Sequence, residues 1–211
     1  MKDNDDAEIL TDLDDLRDVI GEPMPLAATK EMPTLDKHCR RFIEMSPFLV
    51  LSTQGEAGHI DVSPRGDPPG FVTVADEKTL YIPDRPGNRR VDTMCNLLVN
   101  DRIGLIFFLP GYEETVRVRG RACIVRDPEV LSGMAVDGKV PKLAILVSVD
   151  EVFFHCAKAL KRSRLWDPSA QITPGVEYPR YGKVLAEQRN TGKTADELQD
   201  FVEDIYKNEL Y

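Results

Sequence analysis

The stretch Asp84-Arg85-Pro86-Gly87-Asn88-Arg89-Arg90 joins a predicted strand to a predicted helix. Pro86 and Gly87 favour a turn, and Asn88 is a good residue to cap a helix running to about residue 100. On that reading Arg89 and Arg90 fall in the first helical turn. Cations are disfavoured there, because a helix N-terminus already carries partial positive charge. Its free N–H groups also make it an anion site. Arginines added to such a place suit a dianion, with phosphate first among the candidates. The competing reading is two surface arginines paired with Asp84 or Asp92.

A second loop has similar chemistry. Ser63-Pro64-Arg65-Gly66-Asp67-Pro68-Pro69-Gly70 ends a predicted strand. Its prolines leave the backbone little entropy to lose on binding. Arg65 can fork onto a phosphate or a carbonyl. Alone, this is equally an ordinary wide hairpin loop; together, two arginine-bearing loops that each follow a strand could line one groove. On Glu114–Arg121 the alternation puts Arg117, Arg119 and Arg121 on one strand face. A solvated outer face explains that pattern, although Thr115 could lend a hydroxyl to a bound polar ring. Finally, Phe154-His155-Cys156 leads into a basic segment that ends at Trp166, the only tryptophan. Adjacent residues rarely make two good metal ligands, and the cysteines lack metal spacing, so no metal site is expected. Lys158, Ser163 and Trp166 are better read as facing a cofactor. Gly192-Lys193-Thr194 has Glu187 where a phosphate-binding loop needs glycine, and no GxGxxG occurs.

The elements that must position these residues are mostly strands. Predicted strands cover 48–53, 59–63, 71–75, 79–82, 102–109, 114–126 and 144–154. Six or seven strands in hairpin order, with few helices between them, suggest an antiparallel barrel rather than a parallel sheet. Helical spacing marks residues 8–20, 35–45 (capped by Thr34) and two segments near 178–188 and 194–208. The expected domains are an acidic helix and proline-rich connector over 1–34, the barrel over 35–170, and a helical extension over 171–211.

Composition narrows the partners. A net charge of -9 argues against general binding to nucleic acid or anionic membrane, which leaves the arginine loops as local ligand sites. Four scattered cysteines fit free thiols in a reducing cytoplasm. No signal peptide or membrane span is visible, so a cytoplasmic protein is expected.

In the motifs SPRGD (63–67), DRPGN-R (84–90) and FFHCAKAL-RS-LW (153–166), residues 35–170 resemble the pyridoxamine 5'-phosphate oxidase-like superfamily of FMN-binding split barrels. The resemblance implies a mainly β fold with flanking helices, a six-stranded antiparallel split β-barrel. It implies a homodimer with FMN at the subunit interface and an oxidoreductase acting on a small molecule. Carried over, Ser63, Pro64, Arg65 and Gly66 lie along the flavin. Asn88, Arg89 and Arg90 stand where the oxidases grip the FMN phosphate, with Asp84 and Arg85 beside them among the cofactor-binding residues, and Thr115 stands where the oxidases place a glutamine against the ring. His155, Lys158, Ser163 and Trp166 approach it, from the same or the partner subunit. The oxidases' C-terminal arginine motif has no counterpart here, which argues against pyridoxamine 5'-phosphate as substrate. The alternatives are a non-catalytic flavin store or sensor, or a split barrel using deazaflavin or haem, for which His155 would be the axial ligand.

Overall fold

The computed structural model describes residues 9–211, in two compact units, one ending at Glu31 and the other spanning Met32–Tyr211. In the first, helix α1 (Leu13–Ile20) starts where the Asp12 carboxylate accepts the N–H groups of Asp14 and Asp15 at 2.7 and 3.0 Å. The predicted helix over 8–20 is thus shorter, and residue 8 lies outside the described residues. A single turn, α2 (Pro25–Ala28), follows.

The second unit is mixed α/β. Among its described residues, seven strands form one antiparallel sheet: β1 (Phe48–Gln54), β2 (Ile60–Gly66), β3 (Thr73–Val74), β4 (Thr79–Pro83), β5 (Arg102–Leu109), β6 (Tyr112–Val125) and β7 (Ala144–His155). Their order is β2-β1-β5-β6-β7-β4-β3. The outer strands β2 and β3 do not pair with each other, so the sheet is open. This corrects the expected six-stranded barrel in strand count and in closure. The seventh strand is the two-residue β3. Phe71 and Val72, expected in that strand, are buried in the core instead of pairing.

Period-two burial makes the core. Leu49 and Leu51 of β1, Leu105 and Phe107 of β5, Val116 and Val118 of β6, Val147 and Val149 of β7, and Leu80 and Ile82 of β4 share one cluster. Phe42 and Ile43 of α3 (Lys37–Met45) join it, as do Met94 and Leu97 of α4 (Asp92–Val99). The cap of α3 is Asp36, whose carboxylate accepts the Cys39 N–H at 2.8 Å, and not Thr34. A bulge in β6 between Arg119 and Gly120 brings Gly120 so close to β7 that a Cβ would lie 2.1 Å from the Ser148 carbonyl oxygen.

Helix α4 places the site. It follows β4 at one side of the sheet, yet its side chains bond to the strands at the other side. Asn96 donates to Thr53 of β1 at 3.0 Å, and Thr93 donates to Asp61 of β2 at 3.1 Å. The loop from 84 to 91 therefore crosses above the end of β2. After α5 (Pro128–Ser132) and β7 come α6 (Lys158–Ser163) and the paired helices α7 (Tyr181–Gln188) and α8 (Ala195–Asn208). Thr194 and Glu197 close a reciprocal capping box on α8. No helix among the described residues is long and apolar enough to cross a membrane.

Candidate functional site

The end of β2 and the 84–91 loop open onto one cavity of about 1030 Å³. Ser63, Pro64, Arg65 and Gly66 form one wall, and Asp84, Arg85, Asn88, Arg89 and Arg90 form the next. The structure thus brings both arginine loops of the sequence together.

Arg65 is held rigidly. Its Nη2 donates to Thr93 Oγ1 at 3.1 Å and its Nη1 to the Pro64 carbonyl at 2.7 Å. Thr93 passes the contact on to Asp61, which also accepts from Ser63 at 3.0 Å. Burial pulls the Arg65 pKa below its ordinary value, while the carboxylates of Asp84 and Asp61 push it back up. Burial also raises the Asp84 carboxyl, and Arg65 opposes that shift. A guanidinium and a carboxyl group are thus both partly desolvated at one wall, where any charged group interacts more strongly than in water.

Arg85 is committed elsewhere. Its Nε donates to Asp67 Oδ2 at 2.5 Å and its Nη2 to the Met134 carbonyl at 2.9 Å. The Asp67 side chain is 1% exposed, so this pair binds the two arginine loops to each other. Breaking it would leave a nearly buried charge alone.

The helix-capping role expected of Asn88 is overturned. Helix α4 starts only at Asp92, with Val91 at its N-cap and no side-chain cap. Arg89 and Val91 both have positive φ, at 60° and 53°, which breaks any helical start. The Asn88 side chain instead accepts the Arg90 N–H at 3.0 Å and closes a turn. Arg89 and Arg90 therefore lie in a strained loop before the helix, not in its first turn. Arg90 pairs with Asp92 at 2.7 Å in an exposed position. Arg89 has no hydrogen bond or ion pair among the described residues, and neither has Lys142, which lines the same cavity.

The remaining predicted residues gather elsewhere, and none of them lines this cavity. Thr115, buried on β6, lies opposite His155 on β7. Trp166 Nε1 donates to the Tyr112 carbonyl at 3.0 Å, and Lys161 pairs with Glu113, which docks α6 on the same end of β6. Lys158 is exposed, and Ser163 turns its hydroxyl onto the Leu160 carbonyl at 3.1 Å. The basic face of β6 is answered by carboxylates of β7: Arg119 meets Glu151 at 3.2 Å, and Arg121 meets Asp150 at 3.9 Å. It is a solvated outer face.

Sequence reasoning missed Asp67, Thr93, Lys139, Lys142 and Tyr211. Asp67 lay inside a quoted motif, and only its burial makes it important. Lys139 and Lys142 belong to an unremarkable loop, and no local pattern points from Tyr211 to residues near 67.

Residues 35–156 match the family model for pyridoxamine 5'-phosphate oxidase. No curated protein matches the chain. Solved structures with a similar fold include HupZ of Group A Streptococcus, at 17% identity and a TM-score of 0.47, covering 57% of this chain and 93% of that one. An FAD binding protein of Mycobacterium smegmatis matches at 17% identity and a TM-score of 0.40, over 59% of this chain and 97% of that one. An FMN-binding protein of Syntrophomonas wolfei matches at 11% identity and a TM-score of 0.42, over 56% and 88%.

Proposed function

This chain belongs to the pyridoxamine 5'-phosphate oxidase family, and from that premise we propose that it is an FMN-dependent oxidoreductase acting on a small molecule. The observation that supports the reading best is that two cations with no partner among the described residues, Arg89 and Lys142, line one cavity. A phosphate dianion suits that donor set, and the cavity is large enough for a mononucleotide.

Bound flavin would supply the hydride chemistry, which no side chain can. Arg89 and Lys142 would neutralise the phosphate. Arg65, locked by Thr93 and Asp61, would present a fixed positive charge to the rest of the ligand. A fixed cation favours the more negative, reduced state of a nearby ring and so raises its potential. The Arg85–Asp67 pair keeps the two loops in register and spends its own charge internally.

The reading extends to a homodimer. Thr115, His155, Lys158, Ser163 and Trp166 are not among the residues lining this cavity, so in this proposal they serve the site of a partner protomer. The same donor set suits one second reading, a flavin binder without turnover, because the fold alone does not imply catalysis.

The test begins with the absorbance spectrum of concentrated protein and mass spectrometry of whatever heat releases, followed by titration with FMN. Flavin bands and saturable FMN uptake support the proposal. A haem or deazaflavin spectrum, or no uptake of FMN, refutes it. Reduction of the bound flavin by NADH or NADPH and reoxidation by an acceptor separate the enzyme from the binder.

A further inference from the structure

We propose that residues 209–211 form a latch across the anion cavity, with Tyr211 as the positioning residue that locks it. The inference rests on reading that cavity as a ligand site. Helix α8 ends at Asn208, and the following residues run along the cavity, with Glu209 and Tyr211 on its wall. Tyr211 is held at three points. Its hydroxyl donates to Asp67 Oδ1 at 2.5 Å, its ring lies 5.6 Å from the Arg85 guanidinium, and its backbone carbonyl accepts from Lys139 Nζ at 3.0 Å. These anchors come from the 63–67 loop, the 84–91 loop and the 139–142 loop. One residue therefore ties together three walls of the cavity that are far apart in sequence.

The hold is polar rather than hydrophobic. Leu210, between Glu209 and Tyr211, is 61% exposed and gains almost nothing from the closed position. A segment kept in place by a few polar contacts, with only Tyr211 half-buried, opens far more easily than the core. Opening it also releases Lys139 into a cavity that already presents Arg89 and Lys142, so an entering anion gains a partner as the latch lets go. Closure after entry would cover the ligand and slow its escape.

The experiment compares the full chain with Tyr211→Phe and Tyr211→Ala by stopped-flow mixing with FMN. The closed latch must open for both entry and exit. Tyr211→Ala loses the hydroxyl and ring anchors and keeps the backbone carbonyl to Lys139; association and dissociation rates therefore rise together, by about tenfold in Tyr211→Ala and less in Tyr211→Phe, which keeps the ring over Arg85. The equilibrium affinity then stays within about threefold. A purely structural role for Tyr211 would instead weaken affinity through dissociation alone, and that result, or unchanged rates, overturns the latch. Hydrogen exchange tests the latch without ligand. Amides between 84 and 91 exchange faster in Tyr211→Ala if the latch protects this wall, and unchanged exchange overturns it. Failure of the unaltered chain to take up FMN would sink the functional reading, while the exchange result still decides the latch.

Discussion

Replacing Arg89 by glycine should move stability and ligand affinity in opposite directions. Arg89 adopts φ 60°, a conformation that costs a non-glycine residue about 1–2 kcal/mol. Glycine removes that strain but brings about 0.5–1 kcal/mol of extra backbone entropy to lose. The side chain has no ion pair or hydrogen bond to forfeit and is exposed. The ligand-free protein should therefore gain roughly 0.5–1 kcal/mol. The loss of a charge-assisted contact to phosphate costs about 2 kcal/mol, or roughly 30-fold in Kd. Urea unfolding without ligand reads the first effect, and quenching of FMN fluorescence reads the second. Val91→Gly is the companion control. It relieves a φ of 53° in the same loop without touching a charge, so it should stabilise and leave affinity unchanged. Arg89→Lys should keep much of the affinity. If Arg89→Gly binds FMN as well as the unaltered protein, the phosphate reading of this loop fails. If stability and affinity fall together, the arginine was serving the fold.

Three further outcomes follow from packing and titration. Gly120→Ala must push a Cβ into the Ser148 carbonyl, 2.1 Å away on the neighbouring backbone; a loss of about 3 kcal/mol or more is expected by chemical denaturation. Burial drives the Cys39 thiol up to about 12, whereas Cys95, Cys123 and Cys156 are exposed; a disulfide reagent at mildly alkaline pH should modify those three in the native protein and reach Cys39 only on unfolding. Asp36 is held below the usual carboxylate range, chiefly by the Cys39 backbone N–H at the start of α3. Its cap is therefore at full strength above about pH 4 and is lost as pH falls through the folded-state value. Asp36→Ala should cost about 1 kcal/mol at pH 7, and that difference should vanish in stability curves taken at increasingly acid pH.

Local patterns identified most of the strands. The apolar run of β5 by itself marks the observed bounds, and the alternation of β6 by itself separates Val116 and Val118 from Arg119 and Arg121. Strand pairing was less legible. Hairpin neighbours such as β1 with β2 follow from short turns, but β1 beside β5 and β4 beside β7 are long-range choices. They depend on which apolar faces can share one core. The reading of Asn88 as a helix cap failed for a related reason. A local rule started the helix at the first suitable residue, yet both ends of the segment are pinned by distant partners. Arg85 is held by Asp67, and Thr93 is held between Arg65 and Asp61. The chain between those anchors takes two left-handed residues to fit.

The residue types of the site were written in the sequence itself: two glycine- and proline-bearing loops, each ending a strand and each carrying arginine. Their convergence was not. It arises because α4 leaves β4 and docks on β1 and β2, which carries the second loop over the first. Only the tertiary structure decides which cations stay unpaired, since Arg85 is claimed by a buried carboxylate while Arg89 is left to the cavity. Only it brings in Lys142 and Tyr211, because chain separation places no limit on which side chains a folded core sets side by side.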